Sequence, residues 1–167
     1  FVMSKGARVN KMKAKKHLGQ NFLTSIPARI AIVKAGELTP KDTVLEIGPG
    51  KGFLTKGLLE TGAKVIAVEK DKELISYLEE TFSKEIKSGQ LKLINDDALN
   101  FDLKSYKLQA NGYKLIANIP YYITGAILER YLSHKNKPSD MVVLVQKEVA
   151  ERVVARDGKE SILSLAV

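Results

Sequence analysis

Short runs of consecutive apolar residues alternate with longer amphipathic stretches through the middle of the chain. The apolar runs predict five buried strands, at Thr43–Ile47, Lys64–Val68, Leu91–Ile94, Tyr113–Ala117 and Met141–Val145. Apolar residues at helical spacing predict helices over about Pro27–Ala35, Phe53–Glu60, Lys72–Phe82, Thr124–Leu132 and Lys147–Val154. Strands that are apolar along their whole length predict a parallel sheet covered by helices on both faces.

This alternation of strands and helices favours an α/β fold with a doubly wound, mostly parallel, Rossmann-like sheet. Right-handed crossovers place the helices on both faces, and ligands of such sheets bind at the carboxyl ends of the strands. The chain has 167 residues, of which 44% are hydrophobic and 28% are charged. This size and composition predict one globular domain with one core.

The composition also narrows the chemistry that we expect. The chain has no cysteine and only two histidines, His17 and His134, which argues against disulfides and against cysteine or histidine metal sites. No apolar run approaches the roughly 20 residues that span a bilayer, and the first residues do not have the pattern of a secretion signal. We therefore expect a cytoplasmic protein with neither a metal nor a membrane partner.

Positive charge is concentrated at the start of the chain. Six of the 27 basic residues lie in residues 1–16, which contain no acidic residue. The rest of the chain has 21 basic and 19 acidic residues and is nearly neutral. We therefore divide the chain into a basic arm, residues 1–16, and a domain, residues 17–167. Such an arm predicts a polyanionic partner, although a solvated tail would have the same composition.

A glycine-rich loop, residues 46–52 with the sequence EIGPGKG, follows the first predicted strand. Its glycines let the backbone approach a ligand closely, and the helix N-terminus behind it favours a carboxylate or a phosphate. Glu69 ends the second strand, where an acid can accept both ribose hydroxyl protons of an adenosine ligand. Glu46, Gly48 and Glu69 together favour S-adenosylmethionine over NAD. A dinucleotide-binding oxidoreductase and a structural turn without a ligand remain as alternatives.

Two more polar motifs follow the third and fourth strands, at the same edge of the sheet. Asp97 can accept a hydrogen bond from the exocyclic amine of an adenine, or it can cap a turn. The tetrapeptide at 118–121, NIPY, suits the N6 nitrogen of a target adenine, whose lone pair is delocalised into the ring. The Asn118 side chain and the Ile119 carbonyl could accept the two N6 protons and localise that lone pair.

The other two residues of the tetrapeptide would support this chemistry. Pro120 stiffens the turn, and Tyr121 offers a face on which an extruded adenine can stack. Positioning and electrostatics would then do most of the catalytic work. A strand that ends in a structural turn with a core tyrosine is the alternative interpretation.

Taken together, these motifs resemble those of the bacterial small-subunit ribosomal RNA adenine-N6,N6-dimethyltransferases, the KsgA family, over about residues 13–167. The supporting segments are HLGQNFL (17–23), EIGPGKGFLT (46–55), Glu69 in VEKD, NDDAL (95–99), NIPYYIT (118–124) and QKEVAERV (146–153). The Erm ribosomal RNA methyltransferases share the QNF and NIPY elements, whereas GPGKGFLT and QKEVAERV are more similar to the KsgA family.

The resemblance implies methyl transfer from S-adenosylmethionine to N6 of two adjacent adenosines near the 3′ end of small-subunit rRNA, by a monomer with a role in ribosome assembly. The implied partners are that rRNA and the assembling small subunit. The implied cofactor-binding residues are Gln20, Asn21, Leu23, Gly48, Gly50, Glu69, Asp97 and Asn118. The implied catalytic residues, which would hold the target adenine, are Asn118, Pro120 and Tyr121. The lysines expected to contact rRNA phosphates are Lys11, Lys13, Lys15 and Lys16.

The chain departs from the family pattern in three places. His17-Leu18 stands where an aromatic residue is usual, Asn21 stands where histidine is common, and the chain ends at Val167. That end comes before the closing antiparallel strands and the C-terminal helical domain of the family, so we expect an incomplete domain whose fifth strand has an uncovered edge. Other adenine or glutamine-side-chain N-methyltransferases, and a non-catalytic RNA-binding module, remain as alternatives.

Overall fold

A computed structural model describes residues 22–145 and 163–164 of the chain. The strands within these residues are β1 (Thr43–Ile47), β2 (Lys64–Glu69), β3 (Leu91–Asn95), β4 (Lys114–Asn118), β5 (Asp140–Leu144) and β6 (Leu163–Ser164). The helices are α1 (Ile26–Ala35), α2 (Phe53–Glu60), α3 (Lys72–Thr81), α4 (Ser83–Lys87) and α5 (Thr124–Ser133), and a 3-10 turn covers Tyr121–Ile123. All five predicted strands and the first four predicted helices are confirmed, whereas the predicted helix Lys147–Val154 lies outside the described residues.

The strand order of the sheet is β3-β2-β1-β4-β5-β6, and all of these neighbouring strands are parallel. The chain winds outward from β1 to β3 and then returns to the other side of β1 to form β4. The direction of winding therefore reverses between β1 and β4, which is where ligands bind in doubly wound sheets. This order confirms the predicted Rossmann-like fold.

The edge of β5 differs from the prediction. Leu163 and Ser164 form β6, which lies parallel to β5 and pairs with Met141 and Val142. The expectation of an uncovered fifth strand was therefore wrong for the first half of β5. It assumed closure by antiparallel strands only, whereas a strand that returns after a long connection can pair in parallel.

The core lies on both faces of the sheet because successive side chains of a strand point to opposite faces. Leu45 and Ile47 of β1 belong to one cluster, with α5 and the segment that follows β3. Val44 belongs to the other cluster, with α1, α2 and α3. The largest buried residues of the first cluster are Phe101, Tyr113 and Tyr131, and those of the second include Ile32, Leu58 and Leu78.

The end of α3 explains one glycine of the glycine-rich loop. The third predicted helix extended to Phe82, but Phe82 has φ −111° and ψ 31°, so it ends α3 and begins the short helix α4. Its buried ring packs beneath Gly52, where an added Cβ would overlap Phe82 Cε2. Gly52 also has φ +77°, which disfavours a side chain at this position. A glycine is therefore required where α2 begins.

The segment between β3 and β4 is irregular but firmly anchored to α5. The Tyr131 hydroxyl donates to the Ala98 carbonyl oxygen at 2.8 Å, and Arg130 donates to the Phe101 carbonyl oxygen. Both Phe101 and Tyr131 are fully buried. These contacts hold the start of this segment, including Asp97, in a defined position at the end of β3.

Candidate functional site

The carboxyl ends of the four strands β1 to β4 meet at one crevice. A cavity of about 330 Å³ opens there, within the usual size range of small-molecule sites. Its polar and glycine lining is Gly48, Gly50, Glu69, Lys70, Asp96, Asp97 and Asn118, and its other walls include Phe22, Ile47, Val68, Leu74, Pro120 and Tyr122. The crevice therefore brings together the predicted residues that follow four different strands.

The glycine-rich loop forms the floor of the crevice. The Gly48 N–H donates to the Val68 carbonyl oxygen at 3.0 Å, which ties the loop to β2. Gly48 has φ +66°, and an added Cβ there would meet no atom within 4 Å. At Gly50, with φ +57°, a Cβ would lie 2.9 Å from the Phe22 ring. The loop thus leaves open space at Gly48 and accommodates an aromatic ring at Gly50.

Glu69 is a buried acid at the end of β2, and only 8% of its surface is exposed. Its Oε2 accepts a hydrogen bond from the Gly50 N–H at 3.2 Å, and its Oε1 accepts one from the Asp71 N–H at 2.9 Å. Burial raises the pKa of the Glu69 carboxyl, and these two N–H donors oppose that rise. The Lys70 backbone N–H also lowers the pKa of this carboxyl, so backbone donors orient the group at the edge of the crevice.

Asp97 lines the crevice, and each of its carboxylate oxygens already accepts one hydrogen bond. Its Oδ1 accepts from the Leu99 N–H at 3.0 Å, so the turn-capping role weighed from the sequence is present. Its Oδ2 is 2.8 Å from Nζ of Lys70, a residue to which the sequence assigned no role. The hydrogen bond from Lys70 and that from the Leu99 N–H hold the pKa of Asp97 below its ordinary value.

Asn95 is a further positioning residue that sequence reasoning missed. Its side-chain amide donates to the carbonyl oxygens of Glu69 and Lys70, at 2.9 and 3.2 Å. The Asp96 N–H also donates to the Glu69 carbonyl oxygen, at 3.1 Å. A polar residue at the last position of a buried strand was the available signal. These bonds fix the ends of β2 and β3 relative to each other.

The tetrapeptide forms a tight turn between β4 and α5. Asn118 is half-buried and lines the crevice, while the side chain of Ile119 is buried in the core. The Pro120 carbonyl oxygen accepts from the Thr124 hydroxyl and from the Ile123 N–H, both at 3.2 Å. Tyr121 begins the 3-10 turn. The turn is therefore anchored to the first residue of α5.

Two aromatic residues line the crevice, and Leu23 lies beside it. Phe22 and Tyr122, which had no assigned role, both line the crevice, and Tyr122 is 56% exposed. Leu23 does not line it but lies in a smaller neighbouring cavity of about 30 Å³, with Gly48, Gly50 and Asn118. The predicted cofactor residues Gln20 and Asn21, and the predicted RNA-binding lysines at 11, 13, 15 and 16, lie outside the described residues.

Glu46 lies beneath the glycine-rich loop and does not line the crevice cavity. Its side chain is 1% exposed, and neither its oxygens nor the buried Thr55 hydroxyl has a hydrogen-bond partner among the described residues. Burial raises the pKa of Glu46 to about 8, the nearby Thr55 hydroxyl opposes this, and the Glu69 carboxylate adds to it. A pKa raised in this way favours the protonated form of Glu46 in the folded protein at neutral pH.

This buried acid predicts that stability falls as the pH rises. The ordinary pKa of the group is 4.5 and the folded value is about 8, so between these values the folded state keeps a proton that the unfolded chain releases. In this window Glu46 therefore lowers the free energy of unfolding as the pH rises, by up to about 1.4 kcal/mol per pH unit. Glu46→Gln should remove that slope in urea unfolding followed by circular dichroism from pH 5 to 8. The exposed Glu60→Gln is the control, and equal slopes for the wild type and Glu46→Gln would contradict this prediction.

Two further findings concern the described part of the chain as a whole. Within it, no three histidine, cysteine, aspartate or glutamate side chains form a group that could hold a metal ion. None of its helices combines the length and the apolar character that crossing a bilayer requires.

The chain is similar in sequence to a known protein family over most of its length. Residues 11–167 match the family described as ribosomal RNA adenine dimethylase. The ribosomal RNA small subunit methyltransferase A of Dehalococcoides mccartyi is 46% identical over 156 residues, which are 93% of this chain and 53% of that protein. The chain therefore spans about half the length of the curated relatives it matches.

Solved structures agree with the fold and with the family. The 23S rRNA methyltransferase ErmE has a TM-score of 0.68 and 28% identity, over 84% of this chain and 54% of that chain. A dimethyladenosine transferase from Plasmodium falciparum has a TM-score of 0.67 and 30% identity, over 83% of this chain and 48% of that chain.

Proposed function

The chain belongs to the ribosomal RNA adenine dimethylase family, and from this premise we propose that it is the catalytic part of an S-adenosylmethionine-dependent rRNA adenine-N6 dimethyltransferase. The observation that carries the proposal is the convergence of Gly48, Glu69, Asp97 and Asn118 on one crevice at the reversal point of the sheet. These four residues lie at the ends of four different strands. A structural turn at one strand end does not explain why all four residues meet at one crevice.

The residues at this crevice fit an adenosine-containing cofactor. The Glu69 carboxylate, an acceptor-only group at the crevice, suits the two adjacent hydroxyls of a ribose. The open space above Gly48 would hold the methionine part, since any side chain there would project into it. Asp97 would accept from the adenine amine. When bound, S-adenosylmethionine supplies a methyl group activated by a sulfonium charge.

Asn118 and the turn that follows it would act on the target adenine. The Asn118 side-chain oxygen and the Ile119 carbonyl oxygen would each accept a hydrogen bond from one N6–H group. These two hydrogen bonds would localise the nitrogen lone pair. Held in this way, the nitrogen would be placed to take up the methyl group that the cofactor supplies, with S-adenosylhomocysteine as the other product, and would release its proton to water. The anchoring of Pro120 to Thr124 keeps the acceptors in place, which is the main catalytic contribution we assign to the protein.

Small-subunit rRNA is the substrate that the relatives favour. The relatives named as small subunit methyltransferase A reach 41 to 46% identity over more than nine-tenths of this chain. The 23S rRNA enzyme ErmE, which acts on the other subunit's rRNA, is 28% identical. Contact with an assembling small subunit and a cytoplasmic location are further parts of this proposal. So is contact of the basic arm with rRNA phosphates.

The test is methyl transfer from tritiated S-adenosylmethionine to purified small-subunit rRNA, followed by nucleoside analysis. We expect label in N6-methyladenosine and N6,N6-dimethyladenosine, with large-subunit rRNA as the control substrate. Label in large-subunit rRNA alone would indicate an Erm-type enzyme. Cofactor binding without transfer to either rRNA would indicate a non-catalytic module of the same fold.

A further inference from the structure

Lys70 lines the crevice and contacts Asp97, the residue that we assign to the cofactor's adenine. It follows Glu69 directly at the end of β2, and its ammonium lies 2.8 Å from the Asp97 Oδ2 on the loop after β3. The hydrogen bond from Lys70 to Asp97 raises the pKa of Lys70, and Tyr122, from the turn after β4, is close enough to contribute. Lys70 therefore stands between the two residues assigned to the cofactor's adenosine.

This ion pair places a competing donor on the carboxylate to which we assign the cofactor's adenine. The Oδ1 of Asp97 already accepts from the Leu99 N–H, and the Oδ2 accepts from Lys70. An adenine amine that approaches Asp97 in the crevice meets the Lys70 ammonium at the same carboxylate. The Asn95 side chain holds the Lys70 carbonyl oxygen, so the backbone of Lys70 cannot easily move away. A rotamer change of the Lys70 side chain would free the lone pair of Oδ2 that the ammonium uses.

We propose that Lys70 competes with the adenine of the cofactor for Asp97 and thereby sets the cofactor affinity of this chain. This inference rests on the proposed function and goes beyond it, because it assigns a role in cofactor affinity to Lys70, to which the motif around Glu69 gives none. The released ammonium would pass into solvent, since the side chain of Lys70 is 64% exposed. Release is therefore possible without leaving a buried charge.

The size of the effect follows from the exposure of the pair. Exposed ion pairs contribute at most about 1 kcal/mol, so removing Lys70 should strengthen binding about two- to fivefold. The fraction of molecules in which the ammonium leaves Oδ2 open to the adenine amine rises when the pair is absent, and the apparent affinity rises with it. Salt screens an exposed pair, so the wild type should bind more tightly at high salt.

The experiment is calorimetric titration of S-adenosylhomocysteine, which has no net charge, into the wild type, Lys70→Met, Lys70→Arg and Lys72→Met. Lys72 is the matched control because it is an exposed lysine two residues along the chain. We expect Lys70→Met to bind about two- to fivefold more tightly at low salt and to lose the strengthening by salt. Lys70→Arg and Lys72→Met should resemble the wild type.

A second ligand makes the test specific for the adenine amine. S-inosylhomocysteine has an oxygen in place of that amine, so it cannot donate to Asp97 and should gain nothing from Lys70→Met. Equal affinities of the wild type and Lys70→Met for S-adenosylhomocysteine at every salt concentration would overturn the inference alone. An absence of binding by all variants would overturn the proposed function as well, so the two failures are distinguishable.

Discussion

Replacing Glu69 by alanine should lower the affinity for S-adenosylmethionine about a hundredfold or more, the largest effect that we expect on cofactor binding. Two hydrogen bonds from ribose hydroxyls to a carboxylate contribute about 1.5–3 kcal/mol each, and the loss of both gives a change of this size. The burial of Glu69 strengthens the argument, because its charge is stabilised by two backbone N–H donors and by few water molecules. Calorimetric titration of the cofactor measures the change directly.

The controls for Glu69→Ala must separate a lost contact from a disturbed loop. Glu69 also receives the N–H bonds of Gly50 and Asp71, so its removal could loosen the glycine-rich loop. Glu69→Gln keeps an acceptor oxygen and should bind more tightly than Glu69→Ala but more weakly than the wild type. Glu79→Ala, an exposed acid on α3, should bind as the wild type does. Wild-type affinity in a folded Glu69→Ala, shown by circular dichroism, would exclude the ribose role.

The sequence predicted the fold well because its strands are short and apolar throughout. Such strands are buried on both faces, and their alternation with helices leaves few possible topologies. The position of the crevice could be predicted from the same strands, since Glu69, Asp97 and Asn118 each come at the end of a predicted strand. Parallel strands bring their carboxyl ends to one edge, so spacing along the chain was enough to group these residues.

The features that were missed depend on contacts between distant segments. The sequence assigned no role to Lys70, because only the pairing of β2 with β3 brings it to Asp97. The pairing of β6 with β5 depends on a long connection, which periodicity does not encode. Glu46 looked like part of the ligand site, but its position within β1 turns its side chain away from the crevice.

The sharpest test of the catalytic assignment is Asn118→Ala. We expect it to lower the rate of methyl transfer about 10²–10³-fold, as does the removal of one preorganised hydrogen-bonding group in other enzymes. We also expect the affinity for S-adenosylmethionine to stay within about threefold of the wild type, a change below about 0.7 kcal/mol. The reason is that the proposed role of Asn118 is to localise the lone pair of the target nitrogen. The measurements are single-turnover transfer to small-subunit rRNA and calorimetric titration of the cofactor.

Two further variants decide what Asn118 contributes. Asn118→Asp keeps a side-chain acceptor at the same place and should retain more activity than Asn118→Ala. Asn100→Ala, at an exposed position after β3, should leave both the rate and the affinity unchanged. If Asn118→Ala instead lost affinity for the cofactor in proportion to its loss of rate, Asn118 would act through the cofactor, as its place in the implied cofactor set also allows. Preserved affinity with a lost rate would place its action at the target adenine, because only transfer requires that base.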